Sequence, residues 1–145
     1  MKTLMSILLL SSLMIAPILA AGADLNKSIN KTGIVSSLNL GIKSDNDGLR
    51  TSSAIIIKQV LDNSLIRPED FSSSLIPLLS MLQNGKTPDE RIAAALALFS
   101  LDNSIAVYRL RGAAKFDNDE KVRVVSKNLY YFYHISHNSA YFLDF

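Results

Sequence analysis

The residues best suited to chemistry are few. Two histidines, His134 and His137, stand three apart, a spacing that on a continuing helix could present both rings to one metal ion. The chain has no cysteine, and the acid that follows them is Asp144. Histidines at a fraying helix end are the expected reading, with metal-dependent or hydrolytic chemistry through His134/His137 as the alternative. Serine is abundant, but a serine nucleophile needs a base and an orienting acid. The Gly-x-Ser-x-Gly elbow that often presents such a serine does not occur. The three glutamates, Glu69, Glu90 and Glu120, all fall at expected helix starts, where about 0.3–1 kcal/mol from the helix dipole accounts for them. Arg111 and Lys115 share one helix face, with Arg109 well away from it, so they read as a solvated face rather than an anion strip. No glycine-rich phosphate loop occurs. The expectation is a protein without catalytic residues, cofactor or metal.

The other concentration of side chains is aromatic. Tyr130-Tyr131-Phe132-Tyr133 and Tyr141-Phe142-Leu143-Asp144-Phe145 hold most of the aromatic residues of the chain. Such a segment can fold back to cover the end of a helical stack, or dock on another protein. The residues named for docking are Tyr130, Tyr133, Tyr141, Phe142 and Phe145.

Those residues need a scaffold, and the composition constrains it. The 145 residues carry 15 basic and 13 acidic side chains, with no polybasic run. Nucleic-acid binding is therefore not expected. Lys2 precedes an uncharged stretch from Thr3 to Gly22, which closes in small residues. That is the pattern of a secretory signal peptide. Cleavage is expected after Ala23, with Ala20 as the second site, so residues 1–23 are signal and 24–145 the domain. The protein is then periplasmic or secreted, with no membrane contact after cleavage. Without cysteine it is held by packing alone.

Hydrophobic spacing predicts six helices over that domain. A first helix lies within Asp24–Lys43, using Val35, Leu38 and Ile42. The second, Asp47 to Leu61, should bury Leu49, Ser53, Ile56, Ile57 and Val60. Asp62 to Phe71 reads as the longest connection, with a short turn starting at Pro68. The third helix, starting near Ser74, buries Leu75, Leu78, Leu79 and Leu82 and ends at Asn84-Gly85. The fourth, Pro88 to Phe99, is capped by Thr87 and is apolar nearly all round. The fifth, Ser104 to Lys115, offers Ile105, Tyr108 and Ala113. The sixth, Asn118 to Tyr133, offers Val122, Val125, Leu129 and Phe132. Asp-Asn or Asn-Gly marks each boundary.

The second helix of each successive pair opens alike: Asp47-Gly48-Leu49-Arg50, Asp89-Glu90-Arg91-Ile92 and Asp119-Glu120-Lys121-Val122-Arg123. With Ile76-Pro77-Leu78-Leu79 and Ala93-Ala94-Ala95, the stretch from Ser44 to Tyr133 resembles the HEAT-repeat family in its short bacterial form. Arg91 precedes its apolar residue rather than following it, and Ser126 replaces the usual alanine. The resemblance implies an all-α fold, a short α-solenoid of about three antiparallel helix pairs. It also implies residues that are structural rather than catalytic. The function expected is that of a non-enzymatic adaptor for an unnamed protein partner, able to dimerise through its aromatic end. A purely structural role in the envelope is the further alternative.

Overall fold

In the computed structural model, residues 30–137 are described. They form six α-helices and one 3-10 segment, and neighbouring helices make antiparallel contacts. The helices are α1 (Lys31–Gly41), α2 (Asp47–Asp62), α3 (Leu75–Asn84), α4 (Pro88–Ser100), α5 (Ser104–Phe116) and α6 (Glu120–Ser136), with the 3-10 segment at Pro68–Ser74. Apart from Asn30 and Lys31, the described residues belong to one compact unit. The expected signal peptide, residues 24–29 and the tail from Asn138 lie outside the described residues.

Local chemistry explains the boundaries. Asn46, Thr87, Asn103 and Asp119 take extended backbone conformations, and their side-chain oxygens accept hydrogen bonds from the first free N–H groups of α2, α4, α5 and α6. Pro88 occupies the first turn of α4, where no N–H is needed. Asp102, just past α4, has φ of 51°, and Ser64, just past α2, has φ of 54°, the left-handed stop that reverses the chain.

Helix α4 is the axis of the molecule. It packs against α2 on one side and α6 on another, and also meets α3 and α5. Ala93, Ala94, Ala95 and Ala97 are all buried, and Leu98 is fully so. Alanines let neighbouring backbones come close, which is how one short helix touches four others. The α5–α6 and α3–α4 hairpins are the other main contacts, and α3 also touches α5. Helix α1 joins through Leu38 and Ile42, which enter the core. Two hydrogen bonds tie it to the 3-10 segment: Asn39 Nδ2 donates to Ser73 Oγ at 3.0 Å, and Ser74 Oγ donates to Asn39 Oδ1 at 2.6 Å.

Gly41 is required where α1 meets α2. A Cβ there would lie 2.0 Å from Ser53 Oγ and 2.9 Å from Ser53 Cβ. Ser53 is itself buried, so it has little room to move. Gly41→Ala is expected to destabilise the protein by about 1–3 kcal/mol through overpacking, measured by urea unfolding. The same change with Ser53→Gly should recover most of the loss.

Several buried faces differ from those expected. In α2 the buried residues are Ser53, Ala54, Ile57 and Leu61, whereas Leu49 and Ile56 are exposed. The face is turned by one residue because Arg50, beside Leu49, reaches to α4. In α5, Ala106, Val107, Leu110 and Ala114 are buried, while Ile105 and Tyr108 point outward. In α6, Tyr130 takes a buried place and Phe132 is exposed. The sixth helix also runs on to Ser136, so His134 is inside it rather than beyond it. The long connection carries the 3-10 segment, whose Phe71 is fully buried.

Candidate binding face and its supports

Three arginines organise the starts of α2, α4 and α6. Each is the fourth residue after its helix cap: Arg50 after Asn46, Arg91 after Thr87, Arg123 after Asp119. In each, Nη1 donates to the carbonyl two residues before the cap: Arg50 to Ser44 at 2.7 Å, Arg91 to Gly85 at 2.8 Å, Arg123 to Asp117 at 2.8 Å. Aligned on caps, the three helices place their arginines identically, so the offset of Arg91 seen against its apolar neighbour disappears.

The first two arginines also bind across to the next hairpin. Arg50 Nε donates to Glu90 Oε1 at 2.6 Å, and Arg50 Nη2 to Asp47 Oδ1 at 2.6 Å. Glu90 is 1% exposed, and its other oxygen accepts the backbone N–H of Lys86 at 3.0 Å. The hydrogen bond to Glu90 is the largest influence on Arg50 and holds its guanidinium charged, above its ordinary range. Glu90 is thus more than a dipole partner of its own helix; it is a buried brace between α2 and α4. Arg91 forms a two-pronged bond to Asp117, Nε to Oδ2 at 2.9 Å and Nη2 to Oδ1 at 3.0 Å. Lys86 bonds Asp47 at 3.2 Å, and this contact holds the Asp47 carboxyl below its usual value.

Beside these braces, α2, α4 and α6 each carry apolar side chains that are exposed or half-buried. Asp89, Ile92, Leu96 and Ser100 follow one another along α4 at helical spacing. Ile92 and Leu96 are half-buried on this stripe. Ser100 Oγ donates to Asp62 Oδ1 at 2.6 Å, which sets the stripe beside the corresponding one of α2, where Ile55 is exposed. Lys58 also binds Asp62. Burial pushes the Asp62 carboxyl up, and the bonds from Lys58 and Ser100 together more than reverse this, leaving it below its usual value. Along α6, Val124, Phe132 and Ile135 are 50%, 62% and 62% exposed. A separate groove of about 270 Å³ runs between α3 and α5, lined by Leu79, Leu82, Arg109, Gly112, Phe116 and Asp117.

The residues singled out in the sequence are placed differently from one another. Tyr130 is 7% exposed and meets the rings of Tyr131 and His134. Tyr133 is half-buried and stacks on His137, ring centroids 4.1 Å apart. Tyr141, Phe142 and Phe145 lie outside the described residues. His137 closes α6: Nδ1 faces the Tyr133 carbonyl at 2.8 Å and Nε2 faces Asp102 Oδ1 at 3.1 Å. The ring therefore ties the end of α6 to the turn after α4. His134 meets the Tyr130 ring edge-on at 4.5 Å. Among the described residues no three His, Cys, Asp or Glu side chains form a group able to hold a metal ion. No described helix is long and apolar enough to cross a membrane. Sequence reasoning missed Ile92 and Leu96 because they sit on a helix apolar all round, and missed Glu90 because its partner is distant in sequence.

Desolvation, then the nearby charge of His137, holds His134 below its ordinary value of 6.5. A base depressed in the folded state is more readily protonated when unfolded, so stability falls as pH drops below about 6.5. His134→Gln is expected to flatten that part of the stability profile, measured by urea midpoints between pH 7.5 and 5. An unchanged slope would remove His134 as its source.

No protein-family model matches the chain, and comparison with curated proteins and with solved structures found no similar protein. The described residues form an all-helical domain of six helices, and no family is identified.

Proposed function

We propose that this chain is an exported, non-enzymatic helical-repeat protein that binds another protein across the apolar row of α2, α4 and α6. In this reading the hairpins α1–α2, α3–α4 and α5–α6 form a short solenoid. Support comes from the contacts of α4 with both α2 and α6, and from the arginine that recurs at one place after three caps. Export rests on the Lys2 and Thr3–Gly22 pattern alone. The observation that carries the binding role is that Ile55, Ile92, Leu96, Val124 and Phe132, all exposed or half-exposed, stand five, nine or thirteen residues after the caps of α4 and of the two helices packed on it. An apolar surface rimmed by polar side chains suits protein association.

Val124→Lys with Phe132→Lys tests the proposal, since both side chains are already half or more exposed and their loss should leave the fold intact. The full chain and the double variant are each immobilised and exposed to extracts of the envelope and the growth medium. A protein retained by the native chain at a reproducible ratio, and lost from the folded variant, is expected. If everything retained by one is retained equally by the other, the row is not the binding face.

A further inference from the structure

The glycines of the fold are not alike. A Cβ on Gly41 would strike Ser53, and one on Gly85 would lie 2.6 Å from the Met81 carbonyl oxygen, so packing fixes both. Gly112 stands inside α5, where glycine lowers helix stability relative to any residue but proline. A Cβ there meets nothing within 4 Å among the described residues. No described glycine has a positive φ, so the backbone does not call for glycine at this place either. What Gly112 does is line the groove between α3 and α5 and keep it open. Glycine is the residue that lets a backbone come close to a ligand.

The rest of that groove has a consistent chemistry. Arg109, Gly112, Ala113 and Phe116 follow one another along a single face of α5. Leu79, half-buried, and Leu82, buried, enter from α3. Asp117 stands at the edge, but both its oxygens accept from Arg91, and Oδ1 also accepts from the Asp119 N–H. Arg109 is exposed, and among the described residues it forms no ion pair or hydrogen bond. The groove is therefore an apolar trough beside an uncompensated cation.

We infer that this groove binds a free carboxylic acid with an apolar body, its carboxylate on Arg109 and its chain lying over Gly112 toward Phe116. A guanidinium holds a carboxylate by two parallel hydrogen bonds. Phe116 is 80% exposed and offers its ring to the far end of the chain. From Arg109 to Phe116 along α5 is about 10 Å at the helical rise. An extended chain advances about 1.2 Å per bond, so the acid has about eight to ten carbons. The groove volume of about 270 Å³ lies just under the roughly 300–1,000 Å³ of sites for larger ligands. The site is on α3 and α5, apart from the apolar row of α2, α4 and α6, and does not depend on it.

The test is titration of the full chain with octanoate, followed by backbone amide and methyl shifts in nuclear magnetic resonance spectra. Shifts gathered on Leu79, Gly112 and Ala113 are expected, saturating at one acid per chain. Octanol, with the same body and no charge, should bind about tenfold more weakly. Arg109→Gln should bring octanoate down to the level of octanol. Gly112→Leu should fill the groove and abolish binding of both, while raising the folding equilibrium constant about threefold. A folded Gly112→Leu chain that binds octanoate as the native chain does would overturn the site, as would shifts spread evenly over the helices. Equal binding of octanol and octanoate would overturn the role of Arg109. A tripeptide ending in leucine, held more tightly than octanoate, would put a chain end in the groove and overturn the free acid.

Discussion

Glu90→Ala is expected to destabilise the protein by about 3–5 kcal/mol, the largest loss from any single charged residue here. The carboxylate is almost wholly buried, and it accepts from Arg50 Nε and from the Lys86 N–H. Its removal leaves a guanidinium, itself 15% exposed at the side chain, beside an empty space with one of its donors unanswered. Breaking a buried pair from one side is costly because the remaining charge has lost its compensation. Domains of this size are stable by only about 5–15 kcal/mol, so the variant should unfold at far lower urea. Two further variants separate the causes. Glu90→Gln keeps the shape and an acceptor for Lys86, and should lose less. Glu90→Leu combined with Arg50→Met removes both charges and should recover much of the loss. If Glu90→Ala unfolds within 1 kcal/mol of the native chain, the brace between α2 and α4 contributes little.

Phe71→Ala should cost a comparable amount, about 3–5 kcal/mol. Phe71 sits in the 3-10 segment before α3 and is 0% exposed, among the largest fully buried side chains of the described residues. Its ring is part of the same core as Ile66, Leu78 and Leu98. Truncation leaves a cavity that the short segment, pinned to α1 through Ser73 and Ser74, cannot close by moving inward. Phe71→Leu should retain most of the stability, and the difference between the two variants measures the cavity. Denaturant midpoints with an unchanged slope would place the effect in stability itself.

The helices were legible in the sequence because their ends are written in short-range chemistry. Thr87-Pro88, Asn103, Asn118-Asp119 and Asn84-Gly85 satisfy or release backbone groups within a few residues, and the observed ends follow them closely. Faces were harder. In α5 two apolar stripes compete, Ile105–Tyr108 and Ala106–Leu110, and only the neighbours decide that the smaller side chains go inside. In α2 the choice between Leu49 and its neighbour Arg50 depended on a carboxylate 40 residues away. The aromatic run of α6 was noticed for its composition, but composition does not say that Tyr130 is buried and Phe132 is not. The candidate binding row was least visible, because it is assembled from three separated helices and has no motif of its own. All of these gaps share one cause: a side chain's partner lay outside the window in which periodicity is read.

The crowding around α4 has a consequence for how the protein comes apart. Its four contacting helices come from both halves of the chain, with α2 and α3 before it and α5 and α6 after it. Neither half can shield the alanine-rich surface without the other. A cut in the turn at Asp102–Asn103 should therefore yield two fragments that are unstructured separately and regain helix only when mixed. Intact, the molecule should melt in one step, with no half-folded species surviving on the way.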